Sequence, residues 1–294
     1  MSAGGCRDLF VSSADGLRLY ARDQGPLVSD AVPVVCLPGL SRTGADFSSL
    51  AAHLASDPKR PRRVLSVDYR GRGRSEWDPD WRRYDVRVEL DDVLQVLVAA
   101  GVEEAIFVGT SRGGLITMGI GAQRPALLRG AVLNDIGPVI EARGLTRIRG
   151  YVGKLPTPRS HEHAADILKT VLGSQFPELG EAGWRALARG TWTESADGLV
   201  LAYDPKLMNA LAGVGPEAPL PVLWPLFEAL KHVPVLVLRG AHSDILSEAT
   251  VEQMQAVHPR LEATTVPGQG HAPLIEGDVV ARIARFVAAI DAAG

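Results

Sequence analysis

The chain of 294 residues is 46% hydrophobic and 22% charged, and its formal net charge is −3. This balance is ordinary for a globular protein, and a chain of this length can bury a large core without disulfides or a structural metal. The small negative charge gives no electrostatic reason to expect nucleic acid or an anionic membrane as a partner.

The cysteines and the N-terminal residues indicate in which cellular compartment the protein is expected. Cys36 lies in an apolar run, and Cys6 lies in an end that we expect to fray, so no disulfide framework is expected. Residues 1–10 lack the basic and apolar regions of a secretory signal peptide. No apolar stretch reaches the roughly 20 residues that span a bilayer. We therefore expect a cytoplasmic protein with no membrane partner.

Strands and helices alternate along most of the chain. The first two strands, 9–11 and 17–20, flank the turn pair Asp15-Gly16 and predict a hairpin. The later apolar runs predict strands at 32–37, 64–67, 105–108, 131–133, 235–238 and 261–266, with helices at 46–55, 86–100, 113–122, 248–257 and 279–290. Helical crossovers between buried strands predict an α/β fold with a mostly parallel central sheet flanked by helices.

Residues 137–231 interrupt this alternation, because no strand is evident there. The segment holds amphipathic patches and several prolines, and the α/β pattern resumes directly after it. We interpret it as a helical cap over the carboxyl edge of the sheet, where such folds bind ligands. The core would then comprise 1–136 and 232–294. A separate second domain is the alternative.

Four aromatic residues of this segment are candidates for the wall of a substrate pocket. They are Tyr151, Trp192, Trp224 and Phe227. The competing interpretation is that they form the interior of the cap, which is the more common role of aromatic side chains in an inserted helical segment.

The strongest chemical signal is the segment Gly109-Thr110-Ser111-Arg112-Gly113-Gly114. It follows a predicted strand and opens a predicted helix, which is the context that a G-x-S-x-G nucleophile turn requires. A strained backbone there lifts the serine hydroxyl above the sheet, and the glycines let strand and helix pack closely. The segment predicts Ser111 as a nucleophile; a serine in an ordinary glycine-rich turn is the alternative.

On these residues the chain resembles the α/β-hydrolase superfamily over nearly its whole length. The order Ser111, Asp244, His271 is the order of the catalytic triad in that family. Four loops also match, beginning Leu37-Pro38-Gly39-Leu40, Asp68-Tyr69-Arg70-Gly71, Arg239-Gly240-Ala241-His242 and Gly268-Gln269-Gly270-His271. Many members have His-Gly where this chain has Pro38-Gly39, a departure that keeps the backbone donor.

The resemblance implies a role for each of these residues. His271 would be the general base that activates the serine hydroxyl, and Asp244 the acid that orients the imidazole. Asp135, after the strand at 131–133, is the rival for the acid, because some family members place it there. The backbone N–H groups of Leu40 and Arg112 would form the oxyanion hole, an assignment made by loop position.

Two further sequence patterns do not indicate a binding site. The loop with Gly71 and Gly73 lacks the third glycine of a dinucleotide site, so its arginines are expected to be solvated or paired with acids. His161, Glu162 and His163 lack the spacing of H-E-x-x-H, so no metal site is expected there. The sequence predicts no cofactor.

The residue at the nucleophile turn separates the chemistries of the superfamily. Dehalogenases and epoxide hydrolases use a carboxylate there, so Ser111 argues against both. We predict hydrolysis of a small-molecule carboxylic ester or lactone through an acyl-enzyme on Ser111. The alternatives are a C–C bond hydrolase acting on ring-cleavage products and a non-catalytic ligand-binding protein, which would be expected to have lost part of the triad.

Overall fold

The computed structural model describes residues 5–196, 198–211 and 220–292. Its strands are β1 (Cys6–Ser12), β2 (Arg18–Gln24), β3 (Val34–Leu37), β4 (Val64–Asp68), β5 (Ala105–Thr110), β6 (Leu128–Asn134), β7 (Trp192–Ser195), β8 (Gly198–Leu201), β9 (Val235–Gly240) and β10 (Leu261–Val266). Its α-helices are α1 (Ser48–Ala55), α2 (Val86–Ala99), α3 (Arg112–Gln123), α4 (Ala142–Tyr151), α5 (His161–Leu172), α6 (Glu181–Thr191), α7 (Trp224–Glu228), α8 (Glu248–Val257) and α9 (Gly277–Ala292). Short 3-10 helices occupy Gly44–Phe47, Trp81–Arg83, Pro125–Leu127 and Pro205–Leu211.

Eight strands form one sheet in the order β1-β2-β4-β3-β5-β6-β9-β10. Strand β2 runs antiparallel to β1 and β4, and the remaining neighbours are parallel. The predicted mostly parallel sheet is confirmed, as is the hairpin around Asp15-Gly16. Cys6 begins β1 as an exposed residue, so the expectation of a frayed end at Cys6 is wrong.

The central strands are buried on both faces, which explains their continuous apolar sequences. In β3, Val34 and Cys36 pack into the cluster under α1 and α9, whereas Val35 and Leu37 pack into the cluster under α2, α3 and α8. The two-residue period of a strand sends alternate side chains to these two layers. The helices therefore cover both faces and leave the carboxyl edge of the parallel strands as the place for a site.

The residues between β6 and β9 form α4 to α7 and the antiparallel hairpin of β7 and β8. The expectation that no strand occurs at 137–231 is therefore wrong at this hairpin. Each of its strands has four residues with one buried side chain, so the sequence shows too little alternation to mark them. Helices α5 and α6 and this hairpin share a hydrophobic cluster of their own, which includes Leu168, Phe176, Trp184 and Trp192.

None of the helices in the described ranges is long and apolar enough to cross a membrane.

Candidate active site

Ser111 lies at a sharp turn between β5 and α3, with φ 51° and ψ −108°. This backbone conformation is uncommon for a residue with a side chain and stores strain. A Cβ added to Gly109 would lie 2.5 Å from the carbonyl carbon of Gly113, and one added to Gly113 would lie 2.0 Å from the Leu37 carbonyl oxygen. Only glycine fits at these two positions, which is the steric requirement predicted for the turn.

His271 lies in the loop after β10, and its Nε2 is 2.9 Å from Ser111 Oγ. The backbone N–H of His271 donates to the side-chain oxygen of Gln175 at 2.9 Å, which anchors the loop. The imidazole is 7% exposed. The predicted pairing of nucleophile and base is therefore present in the geometry.

Asp135 provides the carboxylate that meets the other nitrogen of this imidazole. Its Oδ2 lies 2.8 Å from His271 Nδ1 and accepts a hydrogen bond from Ser243 Oγ at 2.6 Å, and its Oδ1 accepts from the Gly240 backbone N–H at 2.8 Å. The side chain is fully buried, directly after β6, in a left-handed backbone with φ 57°. These hydrogen bonds compensate the burial of its charge and fix its orientation.

The prediction that Asp244 contacts His271 is wrong. Asp244 instead forms a bidentate ion pair with Arg147 of α4: Arg147 Nε lies 2.6 Å from Oδ2, and Arg147 Nη2 lies 2.7 Å from Oδ1. Burial acts to raise the pKa of Asp244, but the adjacent Arg147 guanidinium outweighs it and holds that pKa below its usual range. The carboxylate of Asp244 thus binds α4. Asp135, the alternative acid considered from the sequence, contacts the imidazole instead.

The loop after β3 lies beside Ser111. A Cβ added to Gly39 would lie 3.9 Å from the Ser111 Cβ, and Leu40 lines the same cavity as Ser111. The backbone N–H groups of Leu40 and Arg112 donate no hydrogen bond within the described part of the chain. Both groups are therefore available to an oxygen that develops negative charge near Ser111.

A cavity of about 480 Å³ opens beside Ser111 and His271. One part of its lining is polar and holds the ion pair of Arg42 with Asp46, at 2.6 Å, together with the exposed Arg189. The other part is apolar and is contributed chiefly by α4 to α6 and the loop after His271: Ile148, Tyr151, Leu172, Phe176, Leu187 and Leu274. A small organic molecule fits a cavity of this size.

Among the four aromatic candidates for the pocket wall, Tyr151 lines this cavity. The prediction is wrong for Trp192, which packs inside the cluster between α5, α6 and the hairpin. It is also wrong for Trp224 and Phe227, which are not among the residues that line the cavity. Their rings meet edge to face at 5.8 Å on α7, and Phe227 also contacts His258. The competing interpretation, the interior of the cap, describes Trp192; Phe227 is instead buried in the main hydrophobic cluster of the core, and Trp224 is partly buried against that cluster.

The arginines in the loop after β4 are paired with acids, as predicted. Arg70 binds Asp78 and Asp92 at 2.6 Å, and Arg74 binds Asp8 at the same distance. Arg72 is buried and contacts Glu89. Glu89, Ser243 and Gln175 were not predicted from the sequence, and only Glu89 has a sequence signal, as a charged residue beside the apolar face of a predicted helix. Among the described residues, no group of three or more His, Cys, Asp or Glu side chains could hold a metal ion.

The site residues follow the carboxyl ends of adjacent parallel strands, the usual ligand edge of such a sheet. The sequence profile of the alpha/beta hydrolase family matches residues 34–283, and the chain belongs to that family.

Individual relatives agree with this assignment. A 3-hydroxybutyrate-oligomer hydrolase of Cupriavidus necator is 37% identical over 82% of each chain. A 2-(acetamidomethylene)succinate hydrolase of Mesorhizobium japonicum is 24% identical over 87% of this chain and 84% of its own. The crystal structure of an alpha/beta hydrolase from Novosphingobium aromaticivorans is 38% identical, covers 98% of this chain and 99% of its own, and superposes with a TM-score of 0.88. Hydrolase activity is therefore supported by both family and relatives.

Proposed function

We propose that the protein is a serine hydrolase that cleaves a small-molecule carboxylic ester or lactone through an acyl-enzyme on Ser111. The observation that carries the proposal is the continuous chain of contacts from Ser111 through His271 to Asp135 at the base of an organic-sized cavity. A serine hydroxyl becomes an effective nucleophile when a base held in this manner removes its proton.

In the acylation step, Ser111 Oγ attacks the ester carbonyl carbon while His271 Nε2 takes the hydroxyl proton. The carbonyl oxygen gains negative charge, and the N–H groups of Leu40 and Arg112 donate to it. The tetrahedral intermediate then expels the alcohol oxygen, which leaves with the proton from His271. Asp135 stabilises the imidazolium that exists between these two proton transfers.

In the deacylation step, the same imidazole removes a proton from water, which attacks the acyl carbon. The C–O bond to Ser111 then breaks, and the imidazolium returns the proton to Ser111 Oγ as the carboxylic acid leaves. A lactone follows the same sequence, except that its alcohol remains attached to the acyl group. Apart from the substrate and the attacking water, all groups required for both half-reactions are protein atoms, so the proposed chemistry needs no cofactor.

We also propose that residues 137–231 act as a cap that selects the substrate. Tyr151 of α4 and Leu187 of α6 face the cavity together with Ser111, so changes in this segment alter the shape of the site directly. The relative from Cupriavidus necator is described as acting on 3-hydroxybutyrate oligomers. Short esters of hydroxy acids are therefore the first substrates to try.

A fluorophosphonate probe and a substrate panel test the proposal. We expect the probe to label the wild-type protein and not Ser111→Ala. Ser49→Ala, which removes another cavity-lining serine, is the matched control and should be labelled like the wild type. The panel holds p-nitrophenyl esters of increasing acyl length, lactones, 3-hydroxybutyrate dimers and ring-cleavage dienones. Equal labelling of Ser111→Ala, or turnover of the dienones alone, would overturn the proposed ester or lactone hydrolysis.

A further inference from the structure

Glu89 lies on α2 with its side chain fully buried, and its carboxylate touches two arginines. Its Oε1 accepts from Arg72 Nη1 at 2.6 Å, and its Oε2 accepts from Arg112 Nε at 2.7 Å. The side chains of Glu89 and Arg72 are both 0% exposed, and that of Arg112 is 13% exposed. One carboxylate thus links the loop after β4 with the first residue of α3.

Each arginine continues from Glu89 to a backbone carbonyl. Arg72 Nε donates to the Leu40 carbonyl oxygen at 2.8 Å, in the loop after β3. Arg112 Nη2 donates to the Tyr84 carbonyl oxygen at 2.9 Å, just before α2. The residues joined through Glu89 are therefore Leu40 and Arg112, whose N–H groups are the proposed oxyanion donors.

Stability alone does not account for this arrangement. Burying three charged groups carries a large desolvation penalty, and an apolar set of the same volume is often equally stable or more stable. Burial acts to raise the pKa of Glu89, yet the guanidiniums of Arg112 and Arg72 outweigh it and hold that pKa below its ordinary value. Arg72 also leaves its buried Nη2 without a hydrogen-bond partner in the described part of the chain. Neutralising Glu89 would therefore leave Arg72 and Arg112 with backbone carbonyl oxygens as their only acceptors among the described residues.

We propose that Glu89 is a positioning residue for the oxyanion hole: through Arg72 and Arg112 it holds the Leu40 and Arg112 backbone N–H groups at the spacing that the tetrahedral oxyanion requires. This inference rests on the proposed function. Two donors from separate loops can bind one oxygen atom only if the loops keep a fixed separation. The charge-assisted hydrogen bonds of Glu89 are short and directional, so they can hold that separation.

The proposed role predicts a defect confined to the transition state. A ground-state carbonyl carries little charge and tolerates loosely placed donors, whereas the oxyanion gains most from donors already in place. Loss of one donor in such a site typically lowers kcat by about 10²–10³-fold. For displaced rather than missing donors we expect a smaller loss, of about 10–100-fold.

Glu89→Gln is the main test, because it keeps the shape of the side chain and removes its charge. We expect kcat on a p-nitrophenyl ester to fall about 10–100-fold, with KM within about 3-fold of the wild type. An alkyl boronic acid, which forms a tetrahedral anionic adduct on the serine, should lose affinity by a similar factor. A merely structural role would not weaken the boronate in proportion to kcat.

Asp92→Asn is the matched control. Asp92 lies three residues further along α2, is buried, and holds Arg70 through contacts of 2.6 and 2.7 Å. That guanidinium has two other carboxylate partners, Asp15 and Asp78. We expect Asp92→Asn to destabilise the fold to an extent comparable with Glu89→Gln while kcat and boronate affinity stay within about 3-fold of the wild type.

The outcomes separate the two proposals. If the wild type hydrolyses esters and Glu89→Gln behaves like Asp92→Asn, the role of Glu89 is refuted and the proposed function stands. If the wild type neither hydrolyses esters nor reacts with the fluorophosphonate probe, the proposed function itself fails. Should Glu89→Gln not fold, Arg112→Lys keeps the charge and the backbone donor but loses the forked contact to Glu89 and Tyr84. It is then expected to show the same loss in kcat, and unchanged kcat would refute the inference.

Discussion

Ser243 Oγ donates a hydrogen bond to Asp135 Oδ2 at 2.6 Å, while the carboxylate of the next residue, Asp244, is bound to Arg147. Two consecutive side chains of the loop after β9 thus serve different purposes. The first supports the carboxylate at the imidazole of His271, and the second attaches the loop to α4. This division assigns the acid of the proposed triad to Asp135.

Exchange of each carboxylate for an amide tests this assignment. We expect Asp135→Asn to lower kcat about 10³–10⁴-fold, because an amide at this place favours the wrong imidazole tautomer and leaves the imidazolium without its counter-charge. Asp244→Asn should keep kcat within about 10-fold of the wild type, since Asp244 does not touch His271. Steady-state kinetics on one ester measure both, and a larger loss for Asp244→Asn would return the acid to Asp244.

The cavity lining predicts which aromatic residues govern substrate choice. Tyr151→Leu enlarges the cavity, so we expect the ratio of kcat/KM for long over short p-nitrophenyl esters to change at least about 5-fold. Trp192→Leu removes a buried ring that does not line the cavity and should lower the free energy of unfolding by about 2 kcal/mol. It should leave that ratio unchanged, and a shift equal to that of Tyr151→Leu would contradict the position of the cavity wall.

The turn at Ser111 predicts a sharp contrast between two glycines. Gly113→Ala would force its Cβ to within 2.0 Å of a backbone oxygen, so we expect the free energy of unfolding to fall by about 3 kcal/mol or more. Gly150 lies in α4 with open space around it, and Gly150→Ala should raise that free energy by up to about 1 kcal/mol. Denaturant titration of both variants is the measurement; an equally stable Gly113→Ala would refute the close packing of β5, α3 and β3.

A buried histidine predicts part of the pH dependence of stability. His258 Nδ1 accepts from the Arg260 backbone N–H, and its Nε2 lies 3.0 Å from the Leu230 carbonyl oxygen, which suits the neutral ring. Burial, opposed only in part by that second contact, lowers the pKa of His258 below the ordinary histidine value of about 6.5. As the pH falls below about 6.5, the unfolded chain takes up a proton before the folded one does. The free energy of unfolding should therefore decline until the pH reaches the folded pKa, by no more than about 1.4 kcal/mol per pH unit.

Urea unfolding at pH 7.5 and pH 5.5 measures this decline in the wild type and in His258→Gln. We expect the variant to be less stable at pH 7.5 and to lose less stability on acidification. His53→Gln, an exposed position on α1, controls for the loss of a histidine as such. An identical acid loss in the wild type and His258→Gln would exclude His258 as its source.

The central strands of the sheet could be predicted from sequence because they are buried on both faces and therefore form unbroken apolar runs. Ser111 and His271 could be placed because each sits in a short local motif whose glycines have a steric reason. The hairpin of β7 and β8 could not, since its strands are short and half exposed.

The sequence could not decide which aspartate contacts His271, and the reason is different. Asp135 and Asp244 follow strands that are neighbours in the sheet, so sequence position places both near the imidazole. What decides between them is the location of Arg147, which neutralises Asp244 from a helix 97 residues earlier in the chain. The role of Glu89 could not be predicted, because it depends on contacts with Arg72 and Arg112, which come from other loops.

The ion pair of Arg147 with Asp244 also has a consequence for exchanging specificity between relatives. A chimaera that takes the region between β6 and β9 from another family member would replace Arg147 but keep Asp244. Without a cation at that place, a largely buried carboxylate near His271 would lose its counter-ion, a change that typically destabilises a protein by about 3–5 kcal/mol. Positions 147 and 244 therefore have to be transplanted together, although only one of them lies in the exchanged region.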